Sequence, residues 1–145
     1  MKELPERRAS RLLLLDSDRR VLLFRYAGSS GRAFWALPGG GLENGETFAQ
    51  AAHREAAEEL GLTGVRMTLL WEGTADFLYI DRMVHQHECI FLVEGGLPVL
   101  SAEVRKAHQD EGILEMRWWT ATELESTSEP VFPEELASQL RKISN

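Results

Sequence analysis

Three glutamates in one short stretch, Glu55, Glu58 and Glu59, are the densest concentration of reactive side chains in the chain. They lie in the run from Gly39 to Leu62, GGGLENGETFAQAAHREAAEELGL, with Arg54 in front of them and Gly61 behind. Carboxylates three and four residues apart on a helix repel one another by a few tenths of a kcal/mol per pair. A divalent cation relieves that repulsion. Hard oxygen donors suit Mg²⁺ or Mn²⁺, and Mg²⁺ usually takes one or two protein carboxylates and leaves its other positions to water and phosphate oxygens. Arg54, four residues before Glu58, can orient that carboxylate without occupying a cation position. The plainer reading of the same residues is a solvated acidic helix face, as most glutamate runs are.

The helix that carries them begins near Thr47, whose hydroxyl can cap the first turn while Gln50, three residues on, completes a capping box. Gly61 stands where a left-handed terminating residue belongs. At about 100° per residue, Ala49, Ala52, Ala56 and Leu60 fall on one packing stripe, with the three glutamates on an arc roughly 100° wide beside it. One face is therefore expected to pack and its neighbour to be anionic.

The spacing upstream sharpens this. From Gly40, five residues lead to Glu46 and seven more to Arg54 and Glu55, followed by Glu58, Glu59, Gly61 and Leu62. This pattern resembles the signature of the Nudix hydrolase family, and all seven of its fixed letters are in place. At average residue frequencies, seven such matches arise by chance on the order of once in 10⁸ starting positions. One position departs from the signature: Ala56 stands where an aliphatic residue is usual, on the packing stripe, so a closer approach of helix to sheet is expected there.

The resemblance implies an α/β fold, an α/β/α sandwich built on a mixed β-sheet, and a metal-dependent hydrolysis of a pyrophosphate bond in a nucleoside diphosphate linked to another moiety. It implies Mg²⁺ or Mn²⁺ held by Glu55, Glu58 and Glu59 together with the backbone carbonyl of Gly39. Glu46, Gly40 and Arg54 then orient the turn and the helix. The attacking water must give its proton to a carboxylate. Glu55 or Glu58 is preferred for that role, with Glu111 behind them, because many members of the family carry a late acidic segment ending in Arg-Trp and EGILEMRWW is of that type.

Composition bounds the rest. The chain has 145 residues, 43% of them hydrophobic, which suits one domain over residues 1–145. A net charge of -7 argues against a stable nucleic-acid partner, which needs clustered Lys and Arg, but not against free nucleotides. With Cys89 as the one cysteine, no apolar run near the ~18 residues of a membrane span, and no apolar leader in MKELPERRAS, a soluble cytoplasmic protein is expected. The family resemblance is also compatible with a homodimer.

Arg11–Leu15 and Val21–Tyr26 are expected as two strands joined at the polar break around residues 16–20, with Leu12–Leu15 covered on both faces. Arg25 is either an edge-facing charge or a donor to substrate phosphate. Residues 27–32 (AGSSGR) are expected to form an exposed loop, in which Arg32 is either a connector residue or a phosphate ligand. A short strand over residues 33–37 delivers the three glycines. Val65–Glu72 and Ala75–Ile80 are expected as strands separated at Gly73, and Met83–Glu94 as a strong strand that puts His85, His87 and Cys89 on one side. The histidine pair lacks an evident third ligand, so a structural pair and a small core cysteine are expected. Glu111–Thr120 reads as a strand with Trp118 and Trp119 facing opposite ways, and residues 133–143 as an amphipathic helix with Leu136, Leu140 and Ile143 inward.

For a nucleobase, Trp35, Phe77 and Tyr79 are the aromatic candidates. In the resembling family a tyrosine sixteen to eighteen residues past the signature goes with dinucleoside polyphosphates and a proline near there with ADP-ribose. Tyr79 follows Leu62 by seventeen residues, and no proline lies between Pro38 and Pro98. That tilts the expected substrate toward dinucleoside polyphosphates over ADP-ribose, nucleotide sugars or nucleoside triphosphates. A nucleotide-binding sensor without hydrolysis, or an isopentenyl diphosphate isomerase, would call for a lost carboxylate or a well-placed cysteine, and the intact signature favours the hydrolase.

Overall fold

The computed structural model describes residues 3–28, 31–79 and 81–143; the expectations for Ser29, Ser30 and Ile80 lie outside them. Eight strands and four helices follow in the order β1 (Glu6–Leu13), β2 (Val21–Tyr26), β3 (Phe34–Ala36), β4 (Gly39–Gly41), α1 (Phe48–Leu60), β5 (Arg66–Tyr79), β6 (Arg82–Glu94), α2 (Ala102–Asp110), β7 (Ile113–Trp119), α3 (Ala121–Ser126), β8 (Val131–Phe132) and α4 (Leu136–Ile143). The strands form two four-stranded sheets, β4-β1-β6-β5 and β7-β2-β3-β8. Each is mixed: β1 runs parallel to β6 and β3 parallel to β8, while the other pairings are antiparallel.

The turn after β1 forms as the polar break suggests, with the Asp16 carboxylate accepting from the amides of Asp18 and Arg20 and from the Arg20 guanidinium. The expected hairpin, however, is only a stub. Leu15 bridges Val21, after which β1 and β2 part into different sheets. Both strands have apolar side chains on both faces, so each can be covered twice and neither needs the other as a partner. Leu12, Leu14, Leu22 and Phe24 enter the core beneath α1, and Leu13, Val21 and Leu23 enter the core beneath α3 and α4. This alternation produces the α/β/α layering.

Helix α1 is capped as its sequence requires. Thr47 and Gln50 form the reciprocal capping box, and Gly61 terminates the helix at φ 66°. Its packing face differs in detail from the expected stripe. Ala52, Ala56 and Leu60 are buried, but Ala49 is exposed, and Glu55 and Glu59 are buried with the alanines. Residues 66–79 also depart from expectation: β5 is one continuous fourteen-residue strand through Gly73, with its irregularity at Leu69–Trp71, because the thirteen-residue β6 offers a partner along its length. Helix α2 has no apolar stripe by which its sequence would announce it, since Val104 is its one buried residue. Trp119 lies in the core and Trp118 at its margin, as alternation requires, and Leu136 and Leu140 anchor α4.

Ala56 is fully buried between α1 and the sheet. Ala56→Ile, which restores the usual aliphatic residue, should overpack this contact and lower unfolding free energy by about 1–3 kcal/mol in urea melts. An unchanged or higher midpoint would show that the helix can move outward freely.

Candidate active site

Between Thr47 and Gly61 the helix presents its carboxylates unequally. Glu59 and Glu55 are only 3% and 8% exposed, whereas Glu58 points into solvent. The Glu59 Oε1 accepts from the Gly39 amide at 3.1 Å, which ties the end of the helix to the glycine turn. Arg54 is the hub of the other side. It donates to Glu46 at 2.8 and 2.9 Å, to Glu55 Oε1 at 3.0 Å, to Glu58 Oε2 at 3.3 Å and to the Gly41 carbonyl at 3.1 Å. Its charge is locked on by these contacts, the Glu46 bonds foremost, and the Arg54 guanidinium holds the Glu46 carboxyl below the usual range.

Close backbone approach is what makes the glycines necessary. A Cβ on Gly40 would come within 2.9 Å of Glu55 Oε1, and Gly39 adopts φ 132° with the Ser10 carbonyl only 2.1 Å from where its Cβ would stand. Two further contacts brace the helix from outside the signature. Ser10 Oγ donates to the Phe48 carbonyl at 2.6 Å, and His108 Nε2 donates to the Glu59 carbonyl at 2.7 Å.

Burial next to a second carboxylate has an electrostatic consequence. Desolvation, then the neighbouring Glu55, push the Glu59 carboxyl up to about 9, and desolvation also raises Glu55. Such a pair holds a proton at neutral pH unless a cation replaces it. Two buried carboxylates, an exposed third and a backbone carbonyl offer only hard oxygen donors, so the set fits Mg²⁺ or Mn²⁺. The Gly39 oxygen at present accepts from Arg11 Nη1 at 3.3 Å, so a cation taking it would compete with that guanidinium.

Glu55 and Glu58 open onto a cleft of about 760 Å³, whereas Glu59 is not among its lining residues. One wall is the glycine turn and α1; the other carries Arg7, Arg8 and Arg11 from β1, with Tyr79, Tyr26, Phe34 and Glu111 at its ends. Tyr79 lines this cleft, its ring centre 4.3 Å from the Arg7 guanidinium carbon. Arg25, Arg32 and Trp35 are not among the residues lining this cleft. Arg25 is held by Glu129 at 2.7 Å, and with Arg32 it borders a separate cavity. Trp35 is buried against Trp119, its indole N–H donating to Glu129 at 2.8 Å. The reason is strand alternation: the side of β3 that buries Trp35 turns Phe34 to the cleft, where it stacks on Tyr26 at 5.4 Å.

Sequence reasoning missed Arg7 and Arg11 because it began the first strand at Arg11. The usable signal was the alternation in Arg7-Arg8-Ala9-Ser10-Arg11, which puts Arg7 and Arg11 on one face around small Ala9. Burial and the nearby Arg11 lower the Arg7 pKa.

Comparison with known proteins agrees with this geometry. The sequence profile of the NUDIX domain matches residues 5–142. The chain belongs to the Nudix hydrolase family. An RNA pyrophosphohydrolase of Novosphingobium aromaticivorans is 33% identical over 76 residues, covering 52% of this Nudix chain and 47% of that protein. A putative mutator protein, MutT4, of Mycobacterium tuberculosis is 34% identical over 100 residues, 66% of this chain and 36% of its own. The Nudix chain thus aligns with less than half the length of these relatives. The crystal structure of the MutT Nudix hydrolase from Burkholderia pseudomallei superposes with a TM-score of 0.65 at 25% identity, covering 95% of this chain and 98% of that one.

The buried pair predicts a pH response. Glu59 keeps its proton in the folded state up to about 9, whereas the unfolded chain releases it near 4.5, so folding takes up a proton between those values. In EDTA the melting temperature should fall as pH rises across that window. The gain in melting temperature from Mn²⁺ should grow with pH, because the cation displaces the proton. Glu59→Gln should flatten both trends; a pH-independent Mn²⁺ gain in the wild type would contradict the assignment.

Proposed function

We propose that the chain is a Mg²⁺- or Mn²⁺-dependent pyrophosphohydrolase that cleaves a phosphoanhydride in a nucleoside polyphosphate. The observation that carries this is the presence of two unlike walls in one cleft: Glu55 and Glu58 on one side, with Glu59 buried on the same helix and bonded to the Gly39 amide, and Arg7, Arg8 and Arg11 on the other. A polyphosphate is the ligand that needs both. The phosphates bound to arginine bring their negative charge to neutral equilibrium directly, while those next to carboxylates require an intervening cation.

When bound by Glu55, Glu58 and Glu59, with the Gly39 carbonyl as a further donor, the divalent ion would polarise phosphorus and lower the pKa of water. The protein's own groups do the rest. Arg54 fixes the rotamers of Glu55 and Glu58 and anchors Glu46 to the turn. Water attacks phosphorus, the P–O bond to the leaving phosphate breaks, and a carboxylate takes the water's proton. Glu55 and Glu58 are both bonded to Arg54 and both assigned to the cation, which moves this role toward Glu111. That side chain lines the cleft, is exposed, and lies near enough for its charge to raise Glu59.

Tyr79 on the Arg7 guanidinium and Phe34 on Tyr26 give the cleft aromatic surface at two places, which supports a nucleobase at one or both ends of the phosphate chain. The position of Tyr79 favours dinucleoside polyphosphates; the sequence relatives named as RNA pyrophosphohydrolases favour a 5′-triphosphate end. In either case the reacting group is a chain of at least three phosphates. The same reading takes residues 1–145 as one Nudix domain acting on small nucleotides.

The test is product release from diadenosine polyphosphates, nucleoside triphosphates, 5′-triphosphorylated RNA and ADP-ribose, with Mg²⁺ or Mn²⁺. Turnover of a polyphosphate class should disappear in EDTA and fall at least about 10²-fold in Glu59→Gln. Arg7→Ala should raise KM more than it lowers kcat. Glu111→Gln should remove the acid limb of the pH–rate profile, whereas Glu58→Gln should leave it in place. Tight nucleotide binding without any turnover would instead mark a sensor domain and overturn the proposal.

A further inference from the structure

The hairpin of β5 and β6 has two chemically different faces. Tyr79, Gln86 and Glu88 face the arginines of β1, with Gln86 bonded to Arg7 and Glu88 paired to Arg11 at 3.5 Å. Alternation sends Glu72, His87 and Cys89 to the opposite face, and none of these lines the cleft.

On that face cross-strand pairing sets Glu72 opposite Cys89, with Thr74 opposite His87 one step along the ladder. The Glu72 Oε1 is 2.9 Å from His87 Nε2 and 3.7 Å from Cys89 Sγ, and the three donor atoms lie within 4.8 Å of one another. Ligand bonds of ~2.0–2.3 Å at tetrahedral angles put donor atoms roughly 3.3–3.7 Å apart, so small side-chain adjustments suffice. The backbone is already held by a long antiparallel ladder. The Phe48 ring, 5.2 Å from the His87 ring, limits how far the imidazole can turn.

We propose that Glu72, His87 and Cys89 form a second cation site, which takes one divalent ion of the Zn²⁺ class and leaves a fourth position open to water. The donor chemistry separates it from the glutamate helix, because thiolate and imidazole select Zn²⁺-like ions over Mg²⁺. Burial and the nearby Glu72 push the Cys89 thiol up to about 11, so binding replaces the S–H proton by the ion and releases that proton to solvent. The open position is on the side of the exposed Glu72 and the half-buried His87, away from buried Cys89. The site adjoins Phe48, the first residue of α1, so its ion would brace the hairpin against the start of that helix.

The test uses the full chain, stripped of metal and then held in excess Mg²⁺, with Co²⁺ as the spectroscopic probe and Zn²⁺ as the competitor. Stoichiometric Co²⁺ should produce a sulfur-to-cobalt charge-transfer band that Zn²⁺ abolishes. Cys89→Ser should lose the band. Glu72→Gln, at an exposed position that leaves the fold intact by circular dichroism, should weaken Co²⁺ binding at least about tenfold, and His87→Gln likewise. Glu59→Gln should keep the band unchanged, so failure of the hydrolase reading and failure of this one are told apart. No charge-transfer band at stoichiometric Co²⁺, or a band of unchanged affinity in both Glu72→Gln and His87→Gln, would overturn the proposal.

Discussion

Burying Glu55 and Glu59 side by side on one helix face is the constraint around which the rest of the molecule is arranged. Neither carboxylate can ionise there at low cost, and removing both from water is tolerable only where polar partners surround them. The partners come from three directions: the Gly39 amide from the turn, the Arg54 guanidinium from the helix, and the opposite carboxyl group itself. Each imposes its own geometry. The amide must come close, so residues 39 and 40 cannot carry a Cβ; the guanidinium must bend back, so Glu46 and the Gly41 carbonyl anchor its far side.

Strand β1 transmits that constraint to both halves of the fold. It pairs with β4 on one edge and β6 on the other, so it holds the glycine turn in register with the long hairpin. Ser10 secures the start of α1, Leu12 and Leu13 enter opposite cores, and Arg7 and Arg11 face the cleft. Positive and negative walls are thereby fixed to one rigid strand instead of to loops. Their separation does not depend on a flexible segment, which is what a charge-dense ligand requires of a preorganised site. Helix α2 adds the remaining brace, through His108, at the C-terminal end of the glutamate helix.

The β5–β6 hairpin shows how one pair of strands can serve two chemistries. Its cleft face is populated by groups that bond to arginine, and its far face by a thiol, an imidazole and a carboxylate. The two sets interleave residue by residue along β6, so a register slip of one residue would exchange them. The long ladder guards against that slip.

What the sequence determined by itself was local. The capping box, the terminating Gly61, the spacing of Gly40, Glu46, Arg54 and the glutamates, and the opposed indoles of Trp118 and Trp119 are all properties of nearby residues with a fixed period, and they were legible without coordinates. The tertiary structure decided everything that depends on partners far along the chain. It buried Glu59 and Glu55 but not Glu58, parted β1 from β2, and joined residues 66–79 into one strand. It sent Phe34 instead of Trp35 to the cleft, drew Arg25 to Glu129, and brought Glu72 to His87 across the ladder. Period and spacing say which side of its own element a residue faces; which element lies on that side is set by long-range pairing and burial, and no short window of sequence encodes it.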